Sequence, residues 1–315
     1  MAPVLYIVVP CYNEQEVLPE TIKRLSAKLR EMIDGDVCSS ESRMLFVDDG
    51  SKDSTWEIIM KAHTENEYVC GLKLSHNRGH QNALLAGLMS AKELCDCAVS
   101  MDADLQDDIG VLDEFVQKYI GGCDIVYGVR SNRKKDTFFK RFTAECFYKF
   151  MKLLGVEIVN NHADYRLMSK RTLETLSEYR EVNLFLRGIV PLMGFKSDIV
   201  YYERDKRFAG ESKYPLKKMI SFAIDGITSF SVKPLKLISN VGIIISLLSI
   251  LGILYALISK IMGTAAPGWT ATIASIWLVC GIIMFCLGVI GEYIGKIYIE
   301  VKARPKYTVE EFLKK

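Results

Sequence analysis

A chain of 315 residues, half of them hydrophobic and a quarter charged, can bury a full α/β core and still have apolar sequence left over. A net charge of +2 excludes a dedicated nucleic-acid binder, whose basic surface would dominate the balance. Nine cysteines without a C-x-x-C pair or a nearby histidine exclude a zinc knuckle and read as reduced thiols in a cytosolic compartment.

The run Val4 to Val9 is too short for the apolar core of a signal peptide and predicts a strand, ended by Pro10. A periodic helix over Glu16 to Ile33 follows. Arg43 to Val47 repeats the pattern, stops at Asp48-Asp49-Gly50-Ser51, and leads into a helix from Ser54 to His63 capped by Asp53 or Ser54. Strands over Tyr68 to Leu74, Cys97 to Met101 and Asp124 to Gly128 alternate with helices over Gln81 to Lys92 and Val111 to Tyr119. Such alternation predicts an α/β fold around a largely parallel, doubly wound sheet. Ligands of these sheets bind at the carboxyl ends of the strands. The loops Pro10 to Glu14, Asp48 to Ser51, Ser75 to His80 and Asp102 to Asp104 all follow predicted strands, so they should open onto one edge and share one site.

In the last of these loops, Asp102, Asp104 and Gln106 recur at a spacing of two, which in an extended segment sets all three on one side. Hard oxygen donors gathered this way suit Mg²⁺ or Mn²⁺, with substrate phosphates completing the shell.

Thr137 to Leu154 gathers Phe138, Phe142 and Phe150 on one helical half and Arg141 and Lys152 on the other, as a helix lying in a membrane interface does. Leu216 to Phe230 is a second amphipathic segment, preceded by lysines. Leu237 to Ile258 and Trp269 to Gly291 carry no charge and are each long enough to cross a hydrocarbon core of about 30 Å. Lysines and arginines cluster before the first and after the second, while the connecting loop holds only Lys260. Both ends are thereby expected in the cytoplasm. The expected organisation is a cytoplasmic domain over 1–212, a juxtamembrane helix over 213–234, two transmembrane helices over 235–293 and a cytoplasmic tail over 294–315.

Five motifs together carry a resemblance. Pro10-Cys11-Tyr12-Asn13-Glu14, Val47 to Ser51, Asp102 to Gln106, Asn161-His162-Ala163-Asp164-Tyr165-Arg166 and Gly210-Glu211-Ser212-Lys213-Tyr214 resemble those of the polyprenyl-phosphate glycosyltransferases of family 2. That family includes the dolichyl-phosphate mannose synthases and the bactoprenol glucosyltransferases, and the two C-terminal spans are similar to the bactoprenol branch. The resemblance implies a GT-A fold, a nucleotide-sugar donor, inversion at the anomeric carbon, Mg²⁺ or Mn²⁺, and a polyprenyl phosphate acceptor at the bilayer. It implies Pro10, Tyr12, Glu14, Asp48, Asp49, Arg78, Asp102, Ala103 and Arg130 at the donor, with Asp104 and Gln106 on the metal. Asp102, Asp104, Asp164 and Arg166 are implied at the catalytic centre, where Arg130, Arg166 and Arg207 become phosphate clamps, and Arg207, Ser212 and Lys213 meet the acceptor phosphate.

A lipid monophosphate is already ionised at neutral pH, its second pKa being about 6, so the nucleophile needs no strong base. Asp164 is therefore expected to orient the sugar or Arg166, with a base role secondary. The overall pattern favours UDP-glucose, then UDP-N-acetylglucosamine, onto undecaprenyl phosphate, with no nucleic-acid partner and a homo-oligomer, dimer or tetramer, in the membrane. A processive polysaccharide synthase is the enzymatic rival, but its Q-x-x-R-W motif is missing and two spans are too few for a polymer channel. A catalytically silent membrane scaffold is the other, opposed by the intact Asp102, Asp104, Arg207 and Lys213.

Overall fold

The structure, a computed structural model, describes residues 2–131, 162–181, 186–203 and 268–315, with scattered helical positions between 235 and 262. The chain divides into two compact units, one of Met1–Tyr148, Glu157–Tyr214 and Ala303–Lys315, the other of Lys149–Val156 and Pro215–Lys302.

In the first unit β1 (Leu5–Cys11), α1 (Leu18–Asp34), β2 (Arg43–Asp48), α2 (Thr55–Glu65), β3 (Val69–Leu74), α3 (His80–Ala91), β4 (Cys97–Ser100), α4 (Leu112–Ile120) and β5 (Ile125–Arg130) alternate as the patterning predicts. Then come β6 (His162–Ser169), α5 (Lys170–Glu178), α6 (Leu186–Leu192) and β7 (Ser197–Tyr202), and β8 (Val309–Leu313) closes the order. Helix α1 begins with a proline in its first turn and buries Leu18, Ile22, Leu25, Leu29 and Met32, one stripe at helical spacing. That stripe packs with Leu5, Ile7 and Val9, one face of β1. The opposite face of β1 meets α3, where Val8 lies against Gly87. Helices on both faces make a three-layer sandwich, and α3 is apolar and buried at every position from Ala83 to Leu88.

All eight strands form one sheet in the order β7-β5-β6-β4-β1-β2-β3-β8. The expectation of a largely parallel sheet holds for β1 to β4, and β5 runs parallel with β7, but β6 is antiparallel to both β4 and β5, and β8 is antiparallel to β3. The reversal of β6 matters for the site. Running against its neighbours, it begins where they end, so Asp164 reaches the edge onto which the β1, β2, β3 and β4 loops open. A bulge interrupts the pairing of β5 with β6 at that end.

Pro10 does not end β1, as the sequence predicts, but lies inside it, paired with Val47. The reason is register. The Val8 carbonyl accepts from Met101 on the β4 side and the Cys11 carbonyl from Asp49 on the β2 side. Alternation therefore turns the Pro10 nitrogen towards β4, whose last pair is Val8 with Ser100, and no ladder bond is lost.

In the second unit, α7 (Trp269–Lys302) is the helix that, among the described residues, is long and apolar enough to cross a membrane, over Leu278–Lys302. It runs beyond Gly291, where the sequence predicts its end, and exposes Leu278, Ile283, Phe285, Ile294 and Ile297. The earlier expected span, Leu237 to Ile258, lies mostly outside the described residues, as do the amphipathic segments Thr137 to Leu154 and Leu216 to Phe230. Residues 303–315 belong to the first unit, whose sheet they join through β8, so the segment expected as a tail is in part a strand.

Candidate active site

The first three loops are stitched together by backbone donors. Asn13, at a φ of 54°, donates its amide to Ser51 Oγ at 3.0 Å, and its own Oδ1 accepts from the Lys52 amide at 2.9 Å. The Glu14 amide donates to Thr55 Oγ1 at 2.9 Å. Tyr12, on the same turn, is 41% exposed. Gly50 has a φ of 65°, and a Cβ there would stand 2.7 Å from the Asn77 amide nitrogen, so only glycine lets the β2 and β3 loops touch.

Asp48 and Asp49 are buried. Asp48 accepts from the Ser51 amide at 3.2 Å and Asp49 from the Arg78 and Gly79 amides at 2.7 and 2.9 Å. Burial pushes both carboxyls above the ordinary aspartate value, against the hydrogen bonds that lower them. Here both carboxylates shape loops. Arg78 keeps its Nε buried with no partner among the described residues, a donor that an anion would satisfy.

The acidic stretch is a loop, not the extended segment expected. Strand β4 stops at Ser100, and Leu105 has a φ of 55°, so side-chain alternation does not apply. The loop is held from several sides. Thr21 Oγ1 donates to the Ala103 carbonyl at 2.8 Å, Tyr165 Oη to the Asp108 carbonyl at 2.9 Å, and Tyr202 Oη to Asp107 Oδ1 at 2.6 Å. Arg130, the last residue of β5, donates from Nε to Tyr202 Oη at 3.3 Å and stands 3.8 Å from Asp107. Asp104 is buried and accepts from the Gln106 amide at 3.2 Å, while Asp102 keeps 39% of its side chain exposed. Loss of water in the cleft pushes the Asp102 carboxyl up to about 6; His80 opposes that shift. Water at the open part of the side chain offsets some of the desolvation.

Asp164 is the centre of the site. Its buried carboxylate accepts from Arg166 Nη2 at 2.5 Å, Arg187 Nη2 at 3.0 Å and Nε at 3.3 Å, and Gln81 Nε2 at 3.2 Å. Burial pushes this carboxyl up, but the His80 ring and the two guanidinium groups outweigh it and hold it well below the usual range. His80 Nε2 lies 3.5 Å from Asp102 and 3.7 Å from Asp164, ionic rather than hydrogen-bonded distances. Burial lowers the pKa of this imidazole and the two carboxylates raise it, with a net rise.

The structure thus brings Asp102, Asp104 and Asp164 to one edge with the loops of Tyr12, Glu14, Asp48, Asp49 and Arg78. Arg166 is fully buried, so it offers a phosphate no surface and holds Asp164 instead, contrary to the expected clamp. Arg207, Ser212 and Lys213 lie outside the described residues. Sequence reasoning reaches His80 only as the last residue of the Ser75 to His80 loop and does not single out Gln81 or Arg187. Gln81 reads as an ordinary helix start, and Arg187 belongs to no motif.

The profile of glycosyl transferase family 2 matches residues 6–177, and that of the GtrB C-terminal hairpin matches residues 233–297. The chain is 54% identical to the uncharacterized glycosyltransferase YkoT of Bacillus subtilis, over 98% of this chain and 91% of the relative. It is 39% identical to the prophage bactoprenol glucosyl transferase homolog of Escherichia coli, over 98% of this chain and 99% of that one. It is 38% identical to the SfII prophage-derived bactoprenol glucosyl transferase of Shigella flexneri, over 97% of each chain. A profile match over more than half of its length, relatives similar from end to end, and the mixed Rossmann-like sheet of the GT-A fold place this chain in glycosyl transferase family 2.

Proposed function

We propose that the protein transfers glucose from UDP-glucose to a polyprenyl monophosphate, undecaprenyl phosphate, with inversion at the anomeric carbon and at the cytoplasmic membrane face. The observation that carries this reading is similarity to bactoprenol glucosyl transferases over essentially whole chains, hairpin included.

The strand-end loops supply the donor site. Tyr12, Glu14 and Arg78, with Pro10, Asp48 and Asp49 behind them, take the nucleoside; Asp102, Ala103 and Arg130 take the ribose and diphosphate. Asp104 and Gln106, beside Asp102, would hold Mg²⁺ or Mn²⁺. Their donor chemistry fits: carboxylate and carboxamide oxygens are hard ligands. Among the described residues no three His, Cys, Asp or Glu side chains gather as a metal site, so phosphates and water would have to complete the shell. Such an ion supplies charge stabilisation to a departing nucleoside diphosphate. Arg207, Ser212 and Lys213 are proposed to bring the acceptor phosphate, and no group is needed to deprotonate it. The hairpin would cross the membrane twice, with α7 as its second span, and leave both ends cytoplasmic.

The test uses the full chain in detergent with undecaprenyl phosphate and a panel of nucleotide sugars, following UDP release and the mass of the lipid product. Lipid-dependent release with UDP-glucose, abolished in Asp104→Ala, is expected. A product mass of N-acetylhexosamine would replace the sugar assignment, and release that is indifferent to lipid would overturn the acceptor.

A further inference from the structure

Asp164 is contacted by two guanidinium groups, and the two are placed for different tasks. Arg166 lies in β6 with no exposed surface, and its Nη1 donates to the Leu186 carbonyl at 3.2 Å. Arg187 keeps 38% of its side chain exposed while its Nε and Nη2 form a fork on Asp164. Arg166 is withdrawn inside the fold, while Arg187 reaches the surface of the cleft.

The backbone beside Arg187 is held with unusual care. The Leu186 amide donates to Gln81 Oε1 at 3.2 Å and the Leu186 carbonyl accepts from Arg166, so side chains from α3 and β6 grip both polar groups of one residue. Gln81 also donates to Asp164, which closes a ring of Gln81, Asp164, Arg166 and the Leu186 backbone around the root of Arg187. The packing of buried Leu186 would need its side chain alone. Anchoring the peptide from two elements fixes where the next side chain starts, which matters when that side chain must meet a ligand. On the other side of Asp164, His80 reaches Asp102, so the Asp164 carboxylate and one imidazole link the arginine to the acidic loop.

We infer that Arg187 contacts a phosphate oxygen of a substrate during transfer, and that Asp164, Arg166 and Gln81 are positioning residues that hold it there. A guanidinium fork pre-ordered on a carboxylate and partly withdrawn from water is suited to a phosphate oxyanion. The donor diphosphate and the acceptor monophosphate offer the same chemistry. Asp164 is held well below the usual carboxylate range, which makes it a weak proton acceptor near neutrality. Removing Arg187 leaves Asp164 paired with Arg166, so the buried acid keeps a cationic partner.

This inference rests on the proposed sugar transfer and is tested with the full chain in detergent, using UDP-glucose and undecaprenyl phosphate for turnover and UDP alone for binding. Arg187→Met is expected to lose kcat/KM on the order of 100-fold, as deletion of a preorganised charged donor does. Arg187→Lys, which keeps the charge without the fork, should recover about tenfold of that loss. Weaker UDP binding in both variants assigns the oxyanion to the donor. Unchanged UDP binding with a raised KM for undecaprenyl phosphate assigns it to the acceptor. Asp164→Asn should lower kcat and keep every limb of the wild-type pH–rate profile; loss of a limb would make Asp164 a base and overturn its positioning role. Arg187→Met within about threefold of wild type overturns the inference alone. So does Arg187→Lys as inactive as Arg187→Met when UDP affinity and lipid KM are both unmoved. A wild-type enzyme that transfers nothing overturns the functional reading and takes this inference with it.

Discussion

Replacing Gly87 with alanine sets helix propensity against packing, and the structure decides which wins. In an exposed helix the change gains about 1 kcal/mol. In α3 the added Cβ would lie 2.4 Å from Val8 Cγ1 and 2.7 Å from Val47 Cγ2. Carbon atoms prefer about 3.5–4.0 Å, so the helix must lift by roughly 1 Å or two side chains must leave their wells. Both valines are fully buried on the adjacent strands β1 and β2, and β-branched side chains have few rotamers to escape into. Overpacking costs about 1–3 kcal/mol, and two simultaneous clashes place this site at the upper end. The net expected loss is about 2 kcal/mol, or a fall in melting temperature of about 4–8 °C at 2–4 °C per kcal/mol. His80 and Gln81 open the same helix and contact Asp164, so a lifted helix should also raise the donor KM. Thermal unfolding of the full chain in detergent, followed with and without UDP, checks both effects. An unchanged or higher melting temperature would show that α3 is not seated by close approach.

Two further substitutions probe the loops. Tyr202→Phe removes the hydroxyl that donates to buried Asp107 and accepts from Arg130; a loss of about 1–3 kcal/mol in thermal stability and a raised donor KM with little change in kcat are expected from steady-state assays. Asp49→Ala removes the buried acceptor of the Arg78 and Gly79 amides, which lie near the surface and can turn to water; a loss of about 1–2 kcal/mol and weaker UDP binding by calorimetry are expected.

The alternating half of the sheet is legible in the sequence because β1 to β5 are apolar runs closed by turn residues, and the rule for parallel sheets then brings their loops to one edge. The strands that complete the sheet hide for identifiable reasons. His162–Ser169 mixes histidine, aspartate and arginine because its start belongs to the site, and Val309–Leu313 carries two glutamates because its outer side faces water. Asp164 and its partner Arg166 could be matched by one motif, but the partners from elsewhere in the chain could not. Gln81 and Arg187 join it through tertiary folding from distant parts of the chain, and no local pattern marks either. The acidic loop misled in a different way, since a spacing of two signals one face only when the backbone is extended, and Leu105 turns it.

Strand β8 has a consequence for the order in which the protein is made. It pairs with β3, places Leu313 beside Gly71, and its neighbour Thr308 accepts from the Ser75 amide at the root of the loop that leads to His80. The ribosome completes β8 only after α7, so the outer edge of the sheet stays open while the hairpin is still being synthesised. If the hairpin inserts as proposed, the nascent sheet reaches its full width only after the chain has been delivered to the membrane. Chains stalled in the cytosol before that point expose β3 as an unpaired edge, open to association with other strands.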